Sequence, residues 1–524
     1  MAEPSAVLAV TKAFEVTWRD PEDAEYSWLL DDAHYDRPMP PMAREVFSAI
    51  MAGQGRRTAF LHGYGYALNR GPTLPGPELE GKDVFQVWRE AYLPRVKDGC
   101  EAIRSRDYGS MSTQELAATL PAIFTEAAEL HLLTMTVVQP FLAPAMALIE
   151  FCDAYLGEEG GMLAATTLQD THNETSAAAM ALGELAQVAG RSPALASLVR
   201  SGSLAGWEGV DGGHEFKERL DDFLDVYGWR AERWSAIHVP TWAENPRVAL
   251  MLIARFMDNP SASPASILQQ DGSSKHVAEA RIEERLAPER RPVFRELIQR
   301  CRAHVPMSEE RSFCQLLIWG SLRVPVIALG QRMAARGTID DANDVAYLST
   351  DEALAAATDD TGRLQEMVAG RKREIEAWQS LTPPLHVGKP AASRTLNTAQ
   401  KLFIKHFRGP DERLVQEGLI VRGLAASQGV VKARARVVRD LADAGRLEPG
   451  DVLVCGVTSA PWTPLFAIAG AVVTDAGGIL AHSAICAREY GIAAVVGTSV
   501  GTRVIPDGAL ITVDGNAGIV TIEA

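Results

Sequence analysis

The stretch TDAGGILAHSAICAREYGIAAVVG, residues 474–497, decides how the C-terminal part of the chain folds. An apolar run ends at Gly477 and Gly478, a single histidine follows, and helix-favouring residues begin at about that histidine. This order predicts a buried strand, a glycine turn and a short helix that exposes His482 at its N-terminus. The unpaired N–H groups and the positive dipole there would stabilise a phosphoryl group on the imidazole.

The sequence on both sides of this stretch predicts a compact β-rich domain. Apolar and basic residues alternate over 431–437, which is typical of a strand with one solvent-facing side. Buried strands are predicted at 451–457 and 471–474, and a hairpin over 510–522 that turns at Asp514-Gly515-Asn516. Residues 418–524 are therefore expected to form one small domain with one or two helices.

The rest of the chain has the apolar spacing of helices. From about residue 83 to 380 the pattern is helical, and Ser112 and Glu115 are spaced as a capping box. Residues 1–57 look like an extended, well-packed lead-in rather than a regular helix. One mainly helical domain over 1–380 is the simplest interpretation, and the Pro- and Gly-rich residues 381–417 are the predicted connector or hinge.

Composition excludes several classes of function. The 524 residues carry a formal net charge of −16 without a dense Lys/Arg cluster, which argues against nucleic acid and against an anionic membrane surface. No signal peptide and no run of about 18 apolar residues is evident, so a cytoplasmic protein without a membrane partner is expected. The six cysteines are scattered, and no HExxH or similar spacing predicts a metal held by the chain.

The histidine stretch resembles the swivelling phosphohistidine domain of the phosphoenolpyruvate-utilising enzyme family. GLAASQGVVKARARVV (423–438), PGDVLV (449–454), TSAPWTPLF (458–466) and DGALITVDGNAGIV (507–520) extend that resemblance along the whole domain. It implies that His482 carries the phosphoryl group, that Gly477 and Gly478 form its glycine loop, and that Thr458 and Trp462 support it. The chain departs from the usual pattern at three positions, which are Ala481, Gln428 and Ala493.

Residues 1–380 resemble the substrate-binding domain of rifampicin phosphotransferases and of two-subunit phenol-phosphorylating synthases. The resemblance rests on FEVTWRDPEDAEYSWLLDDAH (14–34), FLDVYGWRAERW (223–234), PTWAENP (240–246), LRVPVIALGQRMAARGTIDDANDVAYLS (322–349) and RKRE (371–374). Together the two resemblances imply an α+β multidomain protein, in which a large mainly helical substrate-binding domain precedes a β/β/α swivelling phosphohistidine domain.

The resemblance also implies a function, namely a subunit of an ATP-dependent small-molecule phosphotransferase. Nothing in the sequence resembles an ATP-grasp domain or a Walker loop, so ATP and Mg²⁺ are expected on a separate ATP-grasp subunit and not on this chain. The expected acceptor is the hydroxyl of a small molecule, by preference a phenol or another aromatic alcohol. Two alternatives stay open, which are a non-catalytic binding or regulatory remnant and a phosphocarrier to another protein.

Candidate acceptor-site residues are found in the helical region. Arg230, Glu232 and His172 are candidates for contacting phosphate or for deprotonating the acceptor, although a helical domain also needs buried polar residues of this kind. Trp229 replaces the histidine of the family's usual YGHR and is a candidate for lining an aromatic pocket, although tryptophans more often fill cores. Arg488 and Glu489 are candidates for catalytic charges, but six and seven residues after His482 they need not face it on a helix, and a structural ion pair is the preferred interpretation.

Overall fold

The protein, seen here as a computed structural model, divides into two compact units. The structure describes residues 14–31, 35–68, 82–169, 173–260, 274–358, 364–389, 406 and 419–523, and within them it is mixed helix and sheet. Unit 1 comprises Met1–Val137, Arg233–Pro240 and Cys314–Thr395, and unit 2 comprises Val138–Glu232, Thr241–Phe313 and Leu396–Ala524. The expected division into residues 1–380, 381–417 and 418–524 stays a prediction.

Helices supply most of the ordered chain between residues 84 and 378. The α-helices of the described residues are α1 Pro41–Gly53, α2 Val84–Val87, α3 Leu93–Ser105, α4 Thr113–Met135, α5 Val138–Leu156, α6 Glu158–Thr166, α7 Glu174–Gly190, α8 Pro193–Ser201, α9 Gly213–Phe223, α10 Arg247–Asp258, α11 Ser274–Arg285, α12 Arg291–Ala335, α13 Thr350–Thr358, α14 Gln365–Trp378, α15 His482–Glu489 and α16 Gly501–Val504. The helical pattern predicted over 83–380 is confirmed, as is the capping box of Ser112 and Glu115.

The strands form two sheets, one in each unit. They are β1 Ser27–Leu30, β2 Arg57–Leu61, β3 Tyr64–Leu68, β4 His386–Gly388, β5 Ile420–Arg422, β6 Leu424–Ser427, β7 Val430–Val437, β8 Val452–Cys455, β9 Ala471–Thr474, β10 Ala493–Val496, β11 Leu510–Asp514 and β12 Ile519–Ile522. Over the described residues the unit 1 sheet has the order β2-β3-β1-β4, and the unit 2 sheet has the order β5-β12-β11-β7-β8-β9-β10-β6.

Unit 1 contains an antiparallel sheet that the sequence pattern did not reveal. β2 and β3 form a hairpin through His62 and Gly63, whose φ angles of 47° and 75° are those of a tight turn that matches strand twist. The extended lead-in predicted for residues 1–57 is wrong over α1, a helix of 13 residues that begins at Pro41. Proline suits the first helical position because its fixed φ is helical and its missing N–H would be unpaired there anyway.

Unit 2 contains the sheet that supports the histidine stretch. Its central strands β7, β8, β9 and β10 are parallel, and the flanking strands pair antiparallel. Every residue of β8, β9 and β10 is buried, as expected for parallel strands that are covered on both faces. The strands predicted at 431–437, 451–457 and 471–474 and the hairpin at 510–522 are confirmed.

Two helices of the described chain are long and apolar enough to cross a membrane. They are Thr113–Met135 and Pro288–Ala335, and 56% and 89% of their most apolar windows are buried inside the protein. Because core helices of folded proteins pass the same test, these two helices are weak evidence for a membrane span.

Candidate active site

Helix α15 places His482 at the end of a glycine turn. β9 ends at Thr474, Gly477 has a φ of 107°, and Ala481 is the N-cap, so the predicted helix start at His482 is confirmed. A Cβ at Gly477 would meet the Cβ of Ala481 at 3.0 Å, which together with the positive φ explains why glycine is needed. Gly478 closes the turn, because its carbonyl accepts the N–H of Ala481 at 3.0 Å.

The imidazole of His482 has a hydroxyl partner at each ring nitrogen. Thr458 Oγ1 lies 3.0 Å from Nδ1, and Thr463 Oγ1 lies 3.2 Å from Nε2. Cys486, one helical turn further along α15, has its Sγ 3.4 Å from Nε2. Both threonines come from the segment after β8. They supply hydroxyl groups to His482, whereas Ala481, which precedes the histidine, has none. Thr463 was missed from the sequence, although TSAPWTPLF contains it five positions after Thr458.

The surroundings of His482 keep its imidazole neutral. Burial, together with the positive charge of Arg230, lowers the pKa of His482 to about 3. The residue as a whole is half-buried. At neutral pH one ring nitrogen is therefore unprotonated, which is the form of histidine that can attack an electrophilic phosphorus.

Arg230 is a buried cation near the histidine. The residue is 3% exposed, and its guanidinium lies 5.3 Å and 5.2 Å from the ring centres of Tyr227 and Phe313. Nε donates to the Tyr227 carbonyl at 3.1 Å, whereas the buried Nη1 has no hydrogen-bond partner among the described residues. Burial lowers the pKa of Arg230 to about 10, opposed by Tyr227 and by the carboxylates of Glu174 and Glu309. An arginine with a buried, unsatisfied donor is poised to bind an anion.

Glu232 connects this arginine segment to the threonine segment. It is buried, its Oε1 accepts the N–H of Leu441 at 3.2 Å, and its carbonyl accepts the hydroxyl of Ser459 at 2.5 Å. Ser459 follows Thr458 directly, so residues 230–232 are held beside the partner of His482 Nδ1. The carboxylate of Glu232 therefore helps to hold these segments in position.

Other predicted residues are placed as follows. Trp229 is partly exposed and follows the π-helical turn Leu224–Gly228, next to Arg230. His172 lies outside the described residues. Trp462 is buried in the hydrophobic core of unit 2 with Phe466, and these surroundings indicate a packing role.

Arg488 holds the glycine turn in place. It donates to the carbonyls of Ala426 and Ile479, each at 2.8 Å, and the second of these lies in the turn that precedes His482. Glu489 accepts the side-chain amide of Asn173 at 3.4 Å. In these contacts both residues support the fold around α15, and the ion pair between them stays a prediction.

Comparison with known proteins identifies two regions of the chain. Residues 133–309 match the fourth domain of rifampicin phosphotransferase, and residues 447–518 match the mobile domain of the phosphoenolpyruvate-utilising enzymes. The chain contains this mobile domain and resembles rifampicin phosphotransferase. The region that matches this mobile domain contains Thr458, Thr463 and His482, and the other matched region contains Arg230.

Several known proteins are similar to nearly the whole chain. The chain is 27% identical to the uncharacterized phosphotransferase YvkC of Bacillus subtilis over 98% of its own length, and 30% identical to rifampicin phosphotransferase of Streptomyces sviceus over 92%. It is also 27% identical to chondramide synthase of Chondromyces crocatus over 98% of its length. The chain spans 63%, 54% and 14% of these three relatives, respectively.

Proposed function

We propose that this phosphotransferase chain carries a phosphoryl group on His482 and passes it to the hydroxyl of a small molecule. One observation carries the proposal: the neutral imidazole of a half-buried histidine at a helix N-terminus lies near a buried arginine with an unsatisfied donor. Helix N-termini and arginines are the groups that proteins use to bind phosphate.

The reaction has two displacement steps. A ring nitrogen of His482 attacks the β-phosphorus of ATP, so that a P–N bond forms while the P–O bond to AMP breaks, and water then cleaves the bond to the γ-phosphate, which leaves as inorganic phosphate. The acceptor oxygen then attacks the same phosphorus, a P–O bond forms, the P–N bond breaks and the hydroxyl proton passes to a base. Arg230 neutralises charge on the phosphoryl oxygens in the second step, since transfer of this kind depends on positioning and charge neutralisation.

The donor side of the proposal rests on family resemblance. A separate ATP-grasp subunit in the cytoplasm would bind ATP and Mg²⁺ and phosphorylate His482, with ATP ending as AMP and phosphate. Among the described residues no group of three His, Cys, Asp or Glu side chains is placed to hold a metal ion.

An aromatic alcohol or phenol is the proposed acceptor. Tyr227 and Phe313 present aromatic rings to Arg230, and Trp229 is partly exposed beside it. Flat rings beside a phosphate-binding cation suit a substrate that has an aromatic body and a reacting hydroxyl. Several relatives are phosphotransferases of rifampicin by name, which supports a small-molecule acceptor.

The test is phosphorylation of the purified chain by a candidate ATP-grasp partner and ATP labelled at the β-phosphate. Acid-labile, base-stable label is expected on the wild type and on His214→Ala, which removes an exposed histidine of unit 2, and not on His482→Ala. Label on His482→Ala equal to that on the wild type would refute the proposal. Label that only another protein can discharge would favour the phosphocarrier alternative, and saturable acceptor binding without label would favour the binding-protein alternative.

A further inference from the structure

Unit 1 contains a large cavity that the proposed phosphoryl transfer does not use. Its volume is about 1030 Å³, which is enough for a small organic molecule. Two of the sequence motifs meet there: Trp18 comes from the motif at 14–34, and Arg371 comes from RKRE at 371–374. Arg44 of α1 and Trp378 of α14 complete the part of the wall on which the inference rests.

Four of the eight described charged residues that line this cavity are held in ion pairs, namely Asp20, Asp23, Glu352 and Arg371. Arg57 lies 3.2 Å from Asp20 and 2.7 Å from Asp23. Arg371 binds Glu352 through two nitrogens, at 2.6 Å and 2.7 Å, and the Arg371 guanidinium lowers the pKa of Glu352 to about 2. These pairs leave little charge for a ligand to meet.

Arg44 differs from these four residues. Its Nε donates to the Met39 carbonyl at 2.7 Å, and its guanidinium lies 5.5 Å from the ring centre of Trp378. Within the described residues no hydrogen bond or ion pair joins its two terminal amino groups to an acceptor. Burial lowers the pKa of Arg44 to about 10, and Arg371 contributes in the same direction, yet the group stays charged at neutral pH. A partly buried cation whose terminal amino groups have no acceptor among the described residues therefore lines the cavity, and Glu374 offsets part of its charge.

We propose that this cavity binds a small organic monocarboxylate, with the carboxylate on the terminal amino groups of Arg44. A guanidinium fork matches the two oxygens of a carboxylate, and stacking on Trp378 holds the fork in a fixed plane. Trp18 and Phe60 in the walls suit an aromatic or apolar body. Glu45 and Glu374 also line the cavity, and their negative charges disfavour a phosphate dianion relative to a monoanion.

The inference is independent of the proposed function. The residues that line the cavity belong to unit 1, whereas His482 and Arg230 belong to unit 2. Binding at Arg44 can thus be measured without ATP, without a partner subunit and without phosphoryl transfer.

The experiment is isothermal titration calorimetry of the full chain with benzoate, with benzyl alcohol and phenyl phosphate as comparison ligands. Saturable binding of benzoate is expected in the wild type and in His482→Ala, with weaker binding of both comparison ligands. Arg44→Met should weaken benzoate binding about tenfold or more, which corresponds to about 1.4 kcal/mol, and Arg44→Lys should weaken it less. Arg19→Met is the matched control, because Arg19 lines the same cavity but is exposed, and it should leave the affinity nearly unchanged.

A variant that is expected to bind benzoate more tightly distinguishes a direct effect on binding from misfolding. Glu374 is exposed and offsets part of the charge of Arg44, so Glu374→Gln should tighten benzoate binding by roughly twofold to threefold. The proposal is overturned if benzoate does not saturate, if benzyl alcohol binds as tightly as benzoate, or if folded Arg44→Met keeps the wild-type affinity.

Discussion

At the scale of single residues, the site depends on how the ring of His482 is held. Thr458 and Thr463 occupy Nδ1 and Nε2, and burial together with Arg230 keeps the ring neutral. Hydroxyl partners fix the orientation and the tautomer of an imidazole, and both determine which lone pair can attack. The sequence alone predicted His482 and Thr458, whereas Thr463 and the unsatisfied donor of Arg230 became evident only from the arrangement in space.

Thr458→Val and Thr463→Val should each slow phosphorylation of His482 by about tenfold, because the ring loses one of the hydrogen bonds that orient it. Valine conserves the shape of threonine, so the fold should persist. Thr458→Ser and Thr463→Ser keep the hydroxyl and should retain most of the rate. Single-turnover labelling with a saturating phosphoryl donor measures this, and equal rates in the valine and serine variants would show that the hydroxyls are not needed.

The lowered pKa of His482 has a consequence for stability. Between pH 6.5, the ordinary value, and about 3, the unfolded chain binds a proton at this position that the folded chain does not. Stability should therefore fall as the pH is lowered through this window. His482→Gln removes this contribution, so its thermal unfolding midpoint should drop less than that of the wild type between pH 7.5 and pH 5. Equal drops in the two proteins would show that the imidazole titrates normally in the fold.

At the scale of elements, the strand, turn and helix around His482 could be predicted, and the unit 1 sheet could not. β9, the glycine turn and α15 are consecutive in the sequence, so local pattern encodes them. β1, in contrast, pairs with β4, which lies far away in the sequence. Ser27 of β1, for example, is the partner of Gly388 of β4. Strands of three or four residues give little periodicity, and a pairing over such a separation leaves no local signal.

Gly477→Ala tests the turn. The substitution forces an alanine to a φ of 107° and brings its Cβ to 3.0 Å from that of Ala481, which should cost roughly 1–3 kcal/mol and displace the histidine. Gly190→Ala is the control, because no atom lies within 4 Å of a Cβ there, and it should be neutral or slightly stabilising. Thermal unfolding and His482 labelling should both decline only in Gly477→Ala, and the prediction fails if the two variants behave alike.

At the scale of the whole molecule, unit 2 gathers Arg230 from the helical region and His482 from the mobile domain. No local sequence pattern predicts that these two residues lie close together. The family resemblance identified the two regions of the chain but not the contacts between them. The large hydrophobic core cluster of unit 2 contains residues from both regions, including Phe223 and Trp462. The chemistry proposed for this chain therefore depends on segments that are distant in sequence.

Arg230→Met should separate the two steps of transfer. Loss of the guanidinium should slow discharge of the phosphohistidine to an acceptor by about a hundredfold, as is typical when one donor to a developing oxyanion is removed. Labelling of His482 by the partner should change much less, because the proposed role of Arg230 belongs to the acceptor step. Label formation and acceptor-dependent discharge are measured separately. A variant that loses both steps equally would assign Arg230 to the fold or to phosphorylation itself.

The most direct test of the central claim is to map the phosphorylated residue by tandem mass spectrometry at neutral to basic pH, and then to add a phenol. The account predicts that the phosphoryl group lies on the peptide that contains His482 and leaves it for the phenol oxygen when the phenol is added. A phosphoryl group on another residue, or one on His482 that no phenol or aromatic alcohol removes, would contradict the account.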